Sequence, residues 1–256
     1  MKKILAMLLA MVMVLSFAAC AGEKTPATEA PATEAPATEA PATEAPATEA
    51  PAPEAPAVMS HEEYIAAELD SAVVIETYVQ GTQSWWDNKI TVYCQSKDGA
   101  YFAYELKCSE EDSKKMVPGT KIRITGTKGE WEGEVEIMDG TFEFVEGDKF
   151  VAEAFDATAL LGTNDLIKHQ NEKVAFKGMT VKNVAYQNDQ PGKDIYVTLD
   201  LAEKSYEFCV ESYLTAPESD LYKAVGELKP GDVVDVEGFL YWYQGANPHI
   251  TNITKK

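Results

Sequence analysis

The sequence is poor in the charge that grips phosphate. Its 256 residues hold 22 Lys and Arg, only one of them an arginine (Arg123), against 42 Asp and Glu, for a formal net charge of −20. Tracking a nucleic-acid backbone means neutralising many phosphates with Lys and Arg. Charge therefore sets nucleic acid aside as a partner, and it gives no hold on an anionic membrane. Histidine is scarce as well: His61, His169 and His249 lie far apart in the chain. Gly-x-Ser-x-Gly, His-Glu-x-x-His and phosphate-cradling glycine loops do not occur. The expectation is a non-enzymatic protein with no catalytic residues, no metal site and no cofactor. Beyond Cys20 the cysteines are Cys94, Cys108 and Cys209. An odd number cannot pair completely, and small buried thiols are the expected reading. The longest apolar run, Ile4 to Ala19, falls short of the ~20 residues a membrane-spanning helix needs.

That run follows Lys2 and Lys3, and together they have the form of a signal peptide over 1–19. It ends Phe17-Ala18-Ala19-Cys20. Small residues before a cysteine resemble the lipobox of bacterial lipoproteins, although Phe17 departs from the usual leucine. The resemblance implies lipidation of Cys20 and a membrane held through that lipid, on the extracytoplasmic face at the bacterial cell surface. From Pro26 to Ala50, Pro-Ala-Thr-Glu-Ala is repeated five times. Proline at every fifth residue blocks a helix and favours extended chain, so 20–57 is expected to be a disordered linker. Residues 58–256 keep 35 acids against 19 bases, net −16, so the acidity belongs to the remainder of the chain.

That remainder reads as one module written twice, over 58–147 and 160–256, with 148–159 as connector. The segment from Met116 to Gly126, containing Pro118-Gly119, matches Leu228 to Gly238, containing Pro230-Gly231. The spacing from Pro-Gly to the next glycine is seven in both, and Trp131 and Gly133 answer Trp242 and Gly245. Ser60 with Glu63 is a capping-box pattern for a helix through Leu69. Val73–Val79, Ile90–Cys94 and Tyr101–Leu106 have strand patterning. An Asp98-Gly99 turn would pair Cys94 with Ala103. Helices are expected at Ser109–Asp112 and from Thr215–Glu218. Each copy thus reads strand, strand, strand, helix, strand, strand. That order belongs to the OB-fold, a five-stranded Greek-key barrel. The Pro-Gly segments resemble the fourth strand of bacterial surface lipoproteins with OB-fold modules. The expected fold is all-β with short helices, in two tandem five-stranded OB-fold-like barrels.

OB-folds bind ligands on strands 2 and 3, rimmed by the 1–2 and 4–5 loops. The candidate ligand-binding residues are therefore Trp85, Trp86 and Trp131 in the first copy, and Tyr186, Tyr241, Trp242 and Tyr243 in the second. They form one aromatic platform per barrel. Platforms without positive charge suit a glycan, peptide or other small molecule. The alternatives are an envelope protein docked by a scaffold, and nucleic-acid binding outside the cytoplasm. Glu130, Glu132, Glu134 and Glu136, read as one strand, are expected to form a solvated acidic face.

Overall fold

The structure, a computed structural model, describes residues 57–256. The leader, Cys20 and all but the last residue of the linker lie outside the described residues. Among the described residues no helix is long and apolar enough to cross a membrane.

The chain builds two five-stranded OB-fold-like barrels of the same topology. The first comprises β1 (Ala72–Thr82), β2 (Lys89–Gln95), β3 (Ala100–Lys107), β4 (Lys121–Trp131) and β5 (Glu134–Phe144). They close in the order β1-β2-β3-β5-β4. A two-residue strand, β6 (Phe155–Asp156), then pairs in parallel with the first strand of the second barrel. That barrel comprises β7 (Lys173–Tyr186), β8 (Ile195–Leu201), β9 (Lys204–Val210), β10 (Val233–Phe239) and β11 (His249–Lys255), and the β10–β7 pairing closes it. Strand 3 runs parallel to strand 5 in both.

The first strand of each barrel is long because it serves two neighbours. Ala72–Tyr78 of β1 pairs with β4, and after a bulge at Gln80 the strand crosses to β2. The β7 strand divides between β10 and β8 in the same way, with its bulge at Lys182. Bulges bend and twist a strand, and this is how a small sheet closes.

The repeated motif has a local cause in both copies. Gly119 and Gly231 hold φ of +90° and +93°, a conformation that favours glycine. The turns they make are clamped alike: Gly119 N–H donates to the Val79 carbonyl, and Gly231 N–H to that of Val181. The later glycines sit where strands 4 and 5 approach too closely for a side chain. A Cβ on Gly126 would lie 2.8 Å from the Met138 carbonyl oxygen, and one on Gly238 only 2.2 Å from that of His249.

Each barrel has its own core. Val73, Ile75, Ile122, Ile124 and Ile137 fill the first, and Phe176, Val197, Phe208 and Val236 the second. Helix α1 (His61–Ala66) carries the capping box read from the sequence, with Ser60 and Glu63 bonding each other's backbone. It ends at Ala66, short of Leu69. Its Tyr64 is buried in the first core, and the Lys128 ammonium bonds the carbonyls of Tyr64, Ile65 and Ala67. Helix α2 (Glu110–Ser113) links β3 to β4, and α3 (Asp220–Gly226) links β9 to β10. The cap of α3 is Ser219, later than the expected start at Thr215–Glu218, because Ser219 Oγ accepts from the Tyr222 N–H. The lone arginine is structural. Arg123 lies between its cross-strand partners Glu76 and Glu143 and bonds both, each at 2.6 Å.

Two other local readings need correction. The hairpin between β2 and β3 turns at Lys97-Asp98, so Cys94 faces Tyr101 rather than Ala103. Cys94, Cys108 and Cys209 are buried free thiols. The glutamates from Glu130 to Glu136 do not lie on one strand. Glu132 (φ +52°) and Gly133 (φ +93°) form a two-residue hairpin turn between β4 and β5. Both central residues have positive φ, as in the turns whose twist matches a hairpin. Glu130 and Glu132 are exposed, whereas Glu134 and Glu136 are buried.

Candidate functional site: a groove where the barrels meet

The outer face of strands 2 and 3 in the first barrel carries Thr91, Tyr93, Phe102 and Tyr104, with Tyr93 directly opposite Phe102. On an isolated barrel this face would be open to ligand. Here the second barrel covers half of it. Phe239 stacks on Tyr93 with ring centroids 4.5 Å apart, and Tyr241 meets Phe102 edge-on at 5.3 Å. Tyr93, Phe102 and Phe239 form a small buried cluster of their own. Gly81 leaves room for the Phe239 ring, since a Cβ there would lie 2.9 Å from it.

Polar bonds lock the junction on both sides of this cluster. The backbone N–H and hydroxyl of Ser84 both donate to the Tyr213 carbonyl, at 2.7 and 3.1 Å. The β4–β5 turn docks against the second barrel, with Gln244 N–H donating to Glu132 O and Gln170 Nε2 to Gly133 O. Glu134 Oε2 accepts from the Trp242 N–H at 2.8 Å and from Gln170 Nε2 at 3.2 Å. Burial pushes the Glu134 carboxyl up to about 8. Gln80 ties in the connector, donating to Phe150 O and accepting from Ala152 N–H.

The uncovered half of the face is a groove with two lobes that share Gln83 and Tyr104 as common wall. One lobe, about 340 Å³, is edged by Trp86, Lys89, Glu105 and Tyr213. The other, about 420 Å³, lies among Phe102, Trp131, Glu136, Glu211, Tyr241 and His249. Its polar lining includes the buried side chains of Glu136, Glu211 and His249. Burial lowers His249 to about 3, so the imidazole is neutral. Gln83 Nε2 donates to the Tyr93 hydroxyl, and that hydroxyl shares a 2.6 Å hydrogen bond with His249 Nδ1. Burial raises Glu211 and Glu136 to about 7 each. The Glu211 carboxyl accepts the backbone N–H groups of Tyr213 and Leu214.

The structure brings some of the expected residues together and separates others. Trp86 is 67% exposed at the smaller lobe and Trp131 is 52% exposed at the larger. Tyr241 lines the larger lobe, and Tyr243 packs beside Trp131 with ring centroids 5.2 Å apart. Trp85 instead packs on the first core and donates to the Cys108 carbonyl at 2.9 Å. Tyr186 and Trp242 pack on the second core. One platform per barrel is therefore replaced by a single groove at their junction. Sequence reasoning missed Gln83, Phe102, Tyr104, Glu136, Glu211, Tyr213 and His249. The alternation Tyr93, Phe102, Tyr104 on the ligand-binding strands was the available signal. Among the described residues no group of three or more His, Cys, Asp or Glu could hold a metal ion.

No family model and no curated protein matches the chain. Among solved structures it is similar to a murine DNA-binding protein bound to double-stranded DNA, at 10% identity and TM-score 0.36, covering 71% of this chain and 94% of that one. It is similar to the HINa domain of Ifi202 in complex with a 20-bp double-stranded DNA, at 12% identity and TM-score 0.33, covering 73% and 99%. A Replication Protein A heterotrimer bound to single-stranded DNA is similar at 11% identity and TM-score 0.31, covering 72% of this chain and 49% of that one. Likenesses this distant carry no residue correspondence.

They run against the expected partner. The sequence points to a glycan, peptide or small molecule and sets nucleic acid aside, whereas the similar structures named here hold DNA. The charge count also looks different at the groove. It treats every acid as ionised and exposed, while Glu134, Glu136 and Glu211 are buried and shifted toward their neutral forms.

Proposed function

We propose that this protein is a non-enzymatic module that binds single-stranded nucleic acid by its bases, stacked in the groove between the barrels. The observation that carries the reading is the row of accessible rings along two adjoining lobes, with Trp86 and Tyr213 at one, Trp131 at the other and Tyr104 between them. Each base offers a flat π-face, and stacking on an aromatic side chain is worth about 1–3 kcal/mol per base. A duplex hides those faces. The net charge of −20 opposes the phosphates, so affinity comes from the bases.

The leader that ends at Cys20 supports a further element of the proposal, a lipid-anchored placement on the extracytoplasmic face of a bacterial membrane. The proline-rich repeat would serve there as spacer.

Fluorescence anisotropy of a labelled oligothymidylate with the full chain tests the binding. Ordinary phosphate-driven binding loses about 10³–10⁵ in affinity between 50 and 200 mM salt. Here salt screens repulsion rather than attraction, so affinity is expected to hold or tighten over that range. Tyr104→Ala is expected to weaken binding about tenfold. A steep loss with salt, or equal binding of duplex, contradicts the reading.

A further inference from the structure

We infer that the larger lobe is a pocket for a guanine base, with Glu136 as the group that reads its edge. The inference rests on the base-binding reading above and names what that site selects. Glu136 is 5% exposed and faces the lobe, yet its carboxyl has no hydrogen-bond partner among the described residues. Of the two other buried carboxyls of the junction, Glu211 accepts two backbone N–H groups, and Glu134 is held through Oε2 by the Trp242 N–H and Gln170. The Glu136 oxygens are open to the lobe, where a bound ligand can supply them with donors.

The surroundings narrow the ligand to a planar one. Phe102, Trp131 and Tyr241 wall the lobe with flat rings, and about 420 Å³ accommodates a purine. A carboxylate only accepts, and it presents two oxygens side by side. Of the four bases guanine alone offers two adjacent N–H donors on one edge, N1–H and the N2 amine. Adenine and cytosine each place one donor beside an acceptor, and thymine has a single N–H between two carbonyls.

The pairing requires the ionised carboxyl. Glu136 is titrated in company with Glu134 on its own strand, Tyr104 from β3, and Glu211, Tyr241 and His249 from the second barrel. Burial raises its pKa to about 7. Guanine preference should therefore be strong at pH 8.5 and weak at pH 6, where a protonated carboxyl offers one donor and one acceptor.

Thymidine oligomers carrying one central guanine, hypoxanthine, adenine or cytosine, titrated into the full chain at pH 8.5, decide the point. The guanine oligomer is expected to bind about tenfold tighter than the adenine or cytosine oligomer, as a good bidentate contact does. Hypoxanthine, which lacks the N2 amine, is expected to fall between. Glu136→Gln should bring the four oligomers level. The hypoxanthine substitution alters the ligand rather than the protein, so it decides even if the variant folds poorly. Base-independent binding by the natural chain overturns this inference and leaves the base-binding reading standing. Failure to bind any oligomer overturns both.

Discussion

Truncating Phe239 to alanine is expected to destabilise the protein by about 3–5 kcal/mol, the cost of emptying a buried aromatic site. The ring is stacked on Tyr93 at 4.5 Å, packed against Leu214 and fitted against the bare backbone of Gly81. Removing it opens a cavity where the barrels join, and the Tyr93–His249 bond then faces water. Denaturant unfolding is the measurement. The natural chain is expected to lose both barrels in one transition. The variant is expected to lose stability first at the junction and to depart from single-transition behaviour. Phe239→Leu keeps much of the volume and should lose less, typically under about 1.5 kcal/mol. A near-neutral Phe239→Ala would mean that the junction is not a core.

Stability is also expected to fall as pH rises from 5 to 9, opposite to the usual behaviour of carboxylates. The cause is Glu134, fully buried and raised to about 8, against ~4.3 for an unfolded glutamate. A group whose folded pKa is raised contributes stability that is complete below the unfolded pKa and is lost as pH climbs through the folded one. Full titration across that gap is worth on the order of 5 kcal/mol. Glu136 and Glu211, each raised to about 7, act in the same direction. Carboxylates held low by partners, such as Glu76 beside Lys121 and Arg123, lose their contribution only on acidification below this window.

The protonated form has a structural use. Glu134 Oε1 is buried without a hydrogen-bond partner, and the Asn171 amide donates to the Val135 carbonyl. A proton on the carboxyl removes the charge from an oxygen that no donor meets. Denaturation midpoints at pH 5 and pH 9 test this, with the lower midpoint expected at pH 9. Glu134→Gln should shrink the difference, because an amide keeps a donor and an acceptor and does not titrate. A midpoint that rises with pH would contradict the account.

The fold was legible because its signals are local. Positive φ at Gly119 and Gly231, and close approach at Gly126 and Gly238, fix glycine at a spacing that any reading of the chain detects. The capping box of Ser60 and Glu63 works over three residues. The candidate site was legible only in part because it is assembled across the chain. Tyr93 and Phe102 look like outward-facing residues of an alternating strand, and nothing near them announces that Phe239 covers them. The acidic stripe was misread because Glu132-Gly133 is a weak hairpin signal beside the usual Asn-Gly. Taking it as a turn would have separated exposed Glu130 and Glu132 from buried Glu134 and Glu136. Trp85 and Trp86 are adjacent and indistinguishable in sequence. The Cys108 carbonyl holds the first against the core, while the second is left at the groove.

Intrinsic tryptophan fluorescence during titration with a single-stranded oligonucleotide tests the central claim most directly, since Trp86 and Trp131 are the two exposed indoles and edge opposite lobes. Saturable quenching is expected, reduced by Trp86→Phe and by Trp131→Phe separately and unchanged by Trp242→Phe, whose ring packs on the second core. Binding without quenching, or quenching indifferent to Trp86 and Trp131, would place the nucleic acid elsewhere on the protein and contradict the account.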